Sequence, residues 1–222
     1  MMDLIFNERA TGGNDWATIL FVLCLALIAI NKTVSGNRFT EFIRLGYSDK
    51  YMKIYKDSSN MLSGFTISFF TIQLISFTFL VQFLLSYYGL AEKTSWITFV
   101  QILTFIAVFI LSKYLIEKII ATSFNIEEFS ETFNLHKVSY RTYIGLILLP
   151  VNIILFYNND PQPFVVYIIV ALIFITNIIS YFVSLRLHQS LILSKLFYFI
   201  LYLCTLEIAP YYFMYYWFTN SK

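Results

Sequence analysis

Six stretches of this 222-residue chain are too apolar for too long to fold as a water-soluble protein. A helix crossing about 30 Å of hydrocarbon at about 1.5 Å per residue needs roughly 20 predominantly apolar residues. Blocks of that kind occur at residues 16–32, 63–88, 96–116, 143–157, 164–187 and 197–218. The first is the shortest, with its apolar core at Trp16–Ile30 and Asn14 or Asp15 available as N-cap. Only 13% of the residues are charged, whereas a soluble domain carries about a quarter. Half the usual charge cannot cover a surface in water. Aromatic residues make up 20% of the chain, which excludes disorder. Alternating short segments are absent, which argues against a β-barrel. The expected fold is all-α: one integral membrane domain over residues 1–222, with six transmembrane helices and two amphipathic interfacial helices on the cytoplasmic side.

Charge orients the spans. Twelve of the fifteen basic residues follow spans one, three and five, leaving Arg9, Lys93 and Lys222 for the other side. The positive-inside rule then puts both termini outside and the basic segments in the cytoplasm. Trp16, Trp96 and Trp217, with Tyr87, Tyr88 and Tyr157 beside them, mark the outer ends independently. The acidic start has no basic n-region, so no cleaved signal peptide is expected. A formal net charge of +2 without a basic run gives no footing for nucleic acid.

Two cytoplasmic segments exceed simple turns. Residues 31–62 carry Tyr47, Tyr51 and Tyr55 at helical spacing, interleaved with Lys50, Lys53 and Lys56. Residues 117–142 carry Ile126, Phe129 and Phe133 on one stripe, with a capping-box pattern at Asn125 and Glu128. Amphipathic helices at the inner interface are expected there, either anchoring to anionic headgroups or docking a partner.

Glu207 is the position with most chemical content. It falls near the middle of the sixth span, where a charge costs about 2.5–3.5 kcal/mol on insertion scales. Three residues on, Pro210 lacks an N–H and frees a carbonyl one turn back. An acid beside a broken helix suits an ion or proton path, and it equally suits a protonated carboxyl gluing helices together. Antiparallel reading of the spans brings Gln73, Ser76, Asn152 and Asn177 to a similar depth. Lys113, near the inner end of span three, is expected to snorkel to the headgroups. Pro150, with Gly145 a turn earlier, is expected to kink span four. Polar stripes at Thr78, Gln82 and Ser86, and at Thr176, Ser180 and Ser184, suggest close helix packing.

Enzyme signatures are missing. Paired intramembrane carboxylates, nucleophile–base arrangements and metal-spaced histidines are not found, and no cofactor is called for. Cys24 and Cys204 both sit inside apolar blocks, suggesting neither a disulfide nor a zinc site.

The closing span, Leu201-Tyr202-Leu203-Cys204-Thr205-Leu206-Glu207-Ile208-Ala209-Pro210, resembles the signature of a family of multi-pass inner-membrane proteins of Bacteroidota, a domain of unknown function. Gly145–Pro150 and the acidic segment around Phe129 and Phe133 match its looser central pattern, so the likeness runs from about Arg38 onward. Ala209 and the tyrosine-rich Tyr211–Tyr216 depart from its more aliphatic ending. The resemblance implies the fold and an inner-membrane setting, and brings no activity. From the residues themselves, the expected role is a non-catalytic accessory or scaffold subunit that meets lipid and either other membrane subunits or a second copy. The alternative is a small proton-coupled transporter working through Glu207, with a lipid-modifying enzyme ranked last.

Overall fold

The computed structural model describes residues 14–46, 48, 50–55, 63–123, 127–158, 162–187 and 216. The side chains of residues 53, 128–133 and 179–187 lie outside that description. The described residues form α-helices joined by turns: α1 (Asp15–Val34), α2 (Gly36–Ile43), α3 (Lys50–Ile54), α4 (Gly64–Tyr87), α5 (Trp96–Ser123), α6 (Glu127–Tyr157) and α7 (Pro163–Leu187). A single 3-10 turn, Arg44–Gly46, follows α2.

Four of these helices are long and apolar enough to cross a membrane: α1, α4, α5 and residues Asn134–Tyr157 of α6. The described residues therefore hold four such helices, not six. The fifth expected span coincides with α7, whose apolar stretch is described over Pro163–Ile178 and is shorter than the length criterion. The sixth, 197–218, lies outside the described residues except for Tyr216.

The second interfacial helix is a correction. Residues 117–123 complete α5, and residues 127–142 are the first half of α6, continuous with span four. The stripe of Ile126, Phe129 and Phe133 and the capping-box pattern at Asn125 and Glu128 point to a separate surface helix. Backbone hydrogen bonding instead carries one helix through the change in polarity, and its buried side chains Asn134, Leu135, His136, Ser139 and Thr142 find cover on neighbouring helices. Residues 31–62 also differ from the expectation. The end of α1, then α2, the 3-10 turn and α3 break the segment into short pieces, and Phe39, Phe42, Leu45, Tyr51 and Met52 are buried. These pieces pack on the bundle.

Helix α4 is the hub, packing chiefly on α6 and then on α5 and α1. Two aromatic groups fill the space around it. Near the start of α1, Phe21 stacks on Phe79 at 4.3 Å and Phe79 meets Phe99 at 4.7 Å. At the opposite end, Phe42 packs on Phe69 at 5.0 Å and on the Tyr51 ring edge at 5.4 Å. Such ring pairs contribute about 0.5–1.5 kcal/mol each beyond the area they bury.

Termination of α4 is local chemistry. Gly89 adopts φ 71°, the Leu90 N–H donates to the Leu85 carbonyl at 2.9 Å, and the Gly89 N–H donates to Ser86 at 3.0 Å. This is a Schellman close, in which a glycine takes the left-handed position without steric cost. It reverses the chain so that α5 returns alongside α4.

Candidate functional site

Polar side chains inside the bundle fall into a neutral group at the α4–α6 interface and an ionic group between α5 and α6. The neutral group starts from a close approach. A Cβ on Gly145 would lie 2.9 Å from the Gln73 Cα, so only glycine lets α6 come this near to α4. Around that contact the Thr142 hydroxyl donates to Gln73 Oε1 at 2.9 Å, and Asn152 Nδ2 donates to the Ser76 carbonyl at 2.7 Å. Gln73, Ser76 and Asn152 are at most 3% exposed. Their remaining polar atoms, Gln73 Nε2, Ser76 Oγ and Asn152 Oδ1, find no hydrogen-bond partner among the described residues. One donor, one acceptor and one hydroxyl that serves as either are thus left buried together at one helix interface. Each such group costs about 1–3 kcal/mol unless something meets it.

The structure brings Gln73, Ser76 and Asn152 to one interface and does not bring Asn177 there. Asn177 is exposed and donates to the Ile173 carbonyl of its own helix at 2.8 Å. Thr176 likewise bonds back to Leu172 and Ile173 at 2.9 Å. From the α4 stripe, Thr78 and Gln82 are buried, and Gln82 Nε2 reaches the Ser95 carbonyl at 2.9 Å, tying α4 to the turn before α5. Pro150 is exposed, and α6 runs helical through it. Glu207 and Pro210 lie outside the described residues.

The ionic group was not anticipated. Glu117, 4% exposed, pairs with Lys137 at 3.1 Å, and Lys113 is buried one turn before Glu117 on the same face of α5. Lys113 therefore turns into the protein instead of snorkelling outward. His136 and Asn134 are buried nearby on α6. Glu117 directly follows the apolar run of span three and its partner is twenty residues away, so proximity in sequence gave no hint. The legible clue was the i, i+4 spacing of Lys113 and Glu117, the register of a shared helix face.

Two of the expected docking residues, Tyr51 and Tyr55, have been drawn into the fold. Tyr51 is buried, and burial pushes its phenol above the usual tyrosine range, offset in part by the Arg38 guanidinium beside it. Arg38 lies over the Tyr55 and Phe65 rings at 4.8 and 4.7 Å and donates to Ser63 and Thr66 at 2.8 and 3.1 Å. It thereby fastens α2 to the N-cap of α4, where Ser63 accepts from the Thr66 N–H. Lys50 is exposed and pairs with Glu41 at 3.1 Å. Tyr47 lies outside the described residues, as do the side chains of Lys53, Phe129 and Phe133.

The two ends of the bundle differ in chemistry. Trp16 at the start of α1 donates its indole N–H to the Thr94 carbonyl at 3.0 Å and packs against Trp96 at 5.2 Å. Thr18 and Tyr157 share a hydrogen bond of 2.6 Å at the same end. Arg38, Lys113 and Lys137 gather at the opposite end. Among the described residues no group of three or more His, Cys, Asp and Glu side chains could hold a metal ion. No curated protein and no solved structure matches the chain. Residues 17–218 match the family model described as a domain of unknown function, DUF4271, and the chain belongs to that family.

Proposed function

We propose that this chain is a non-catalytic, multi-pass subunit of an inner-membrane assembly, with its basic end in the cytoplasm and its aromatic end outside. The observation that carries the reading is α5. Only 6% of its apolar window is buried, against 56% for α4, so a membrane-length helix presents most of its surface outward. The polar groups of α4 meanwhile close on neighbouring helices, as scaffold packing requires. Tryptophan and tyrosine at one end and lysine and arginine at the other support the orientation. The test is photo-crosslinking from the outward positions Phe105 and Val108 of α5 in native membranes, followed by purification in mild detergent. Crosslinks to a second protein, or to a second copy, are expected. A chain that crosslinks only to lipid and purifies as a free monomer overturns the reading.

A second reading, proton-coupled transport, is favoured by the three buried polar atoms at the α4–α6 interface that find no partner among the described residues. Such atoms suit a hydrated path, for which Glu207 would be the protonatable group. Glu207→Gln keeps the hydrogen-bonding shape and removes titration. Loss of the cellular phenotype with unchanged protein level supports coupling, and full function of the variant excludes it.

A further inference from the structure

Helices α6 and α7 pack on one another, and a groove opens between residues of the two. The resulting groove holds about 520 Å³. Val151, Leu155, Val165 and Ile169 form its walls, and Asn158 and Gln162 stand at the turn end. From residue 158 down to 151 the groove runs two helical turns, about 10 Å. A narrow apolar slot with amide groups at one end matches an amphiphile with one tail and a polar head.

Lys93 sets the sign of that head. Lys93 is not part of the groove's lining, but its ammonium donates to the Asn158 carbonyl at 2.7 Å, which puts a cation next to the polar end. Its other neighbours are the faces of the Phe156 and Phe83 rings, at 5.5 and 5.9 Å. No carboxylate among the described residues pairs with it, whereas Lys50 and Lys137 each have one. Burial pulls its pKa below the usual lysine value, the cost of holding a cation there without a counter-charge. Among the described residues Lys93 is the one basic residue at the aromatic end of the bundle.

We infer that the α6–α7 groove seats one acyl chain of an anionic phospholipid, with the headgroup phosphate on Lys93 and within reach of Asn158 and Gln162. The inference rests on α6 and α7 being membrane-embedded. It concerns a lipid site and is independent of any protein partner on α5. Desolvated against aromatic rings, the ammonium discriminates charge: a zwitterionic lipid offers the same tail but brings its own cation to the site.

The experiment uses the full chain, purified in mild detergent and mixed with phosphatidylglycerol or phosphatidylcholine, with bound lipids counted by native mass spectrometry. One phosphatidylglycerol is expected to be retained in preference to phosphatidylcholine. Lys93→Gln should cut that preference about fivefold, the factor one basic side chain contributes to anionic-lipid attraction. Lys93→Arg should keep it. Val165→Trp, which fills the slot, should lower retention of both lipids, and Ile169→Trp serves if the first variant melts below the parent. Equal retention of the two lipids, an unchanged preference in Lys93→Gln, or full retention in the filled groove each overturns the inference. A carbonate wash of the membranes separates the outcomes: a chain that washes off refutes the membrane reading, and one that stays without lipid preference refutes the site alone.

Discussion

Helices α4 and α5 are consecutive, similar in length and both strongly apolar, yet they occupy opposite environments. Helix α4 is surrounded by α1, α5 and α6, and it buries Gln73, Ser76, Thr78 and Gln82 among its phenylalanines. Helix α5 buries Phe99, Lys113, Glu117 and Ala121, while Ile97, Val108, Leu111 and Leu115 are exposed. In water the arrangement of α5 would be inverted, because apolar side chains would turn inward and charges outward. In hydrocarbon, lipid solvates leucine as well as protein does, so association is driven by packing and by polar groups that need partners. Apolarity therefore identifies both helices as spans, and the polar residues show which face of each turns inward.

The contrast can be broken experimentally. Glu117→Leu, on the inward stripe of α5, removes the carboxylate partner of half-buried Lys137 on α6, and should cost about 4 kcal/mol in reversible unfolding in mixed micelles. Adding Lys137→Met should recover most of that loss. A small effect of the single variant would mean that water reaches the pair. Gly145→Leu, aimed at the Gln73 backbone, should cost about 3 kcal/mol by forcing α4 and α6 apart. Thermal melts that leave this variant level with the parent would show that the two helices do not touch there. Val108→Ala on the outward face of α5 should change stability by less than about 0.5 kcal/mol. A loss matching that of Gly145→Leu would mean that the exposed face of α5 is covered within the folded chain, which removes the contrast.

Legibility in the sequence followed the same logic. Helices α1, α4 and α5 were found because nothing but a membrane span explains unbroken runs such as those in Gly64–Tyr87 and Trp96–Ile116. The start of α6 reads as a separate surface helix because Ile126, Phe129 and Phe133 form one apolar stripe among polar residues after a capping-box pattern. Composition reports a residue's preferred solvent, whereas helix continuity depends on backbone bonds that ignore it. At the candidate site, depth counting groups Gln73, Ser76 and Asn152 because rise per residue fixes height, and all three lie at the α4–α6 interface. It also groups Asn177, since height contains no azimuth. Asn177 sits on the side of α7 that turns away and satisfies itself on Ile173. The Glu117–Lys137 pair was hidden for a related reason: its members come from helices of opposite direction, and only the packed hairpin sets them face to face.

The indole of Trp16 bonds to a carbonyl seventy-eight positions later in the chain, and its ring is wedged among Phe79, Trp96, Phe99 and Phe156. During synthesis, α1 is therefore made long before the surface that holds its leading end exists. Helix α4 reaches it first, through Phe79, but the indole has no carbonyl to bond until the connection leading into α5 has emerged. The seat for the leading end of α1 is then completed late, by the arrival of Thr94 and Trp96 and after them of Phe156.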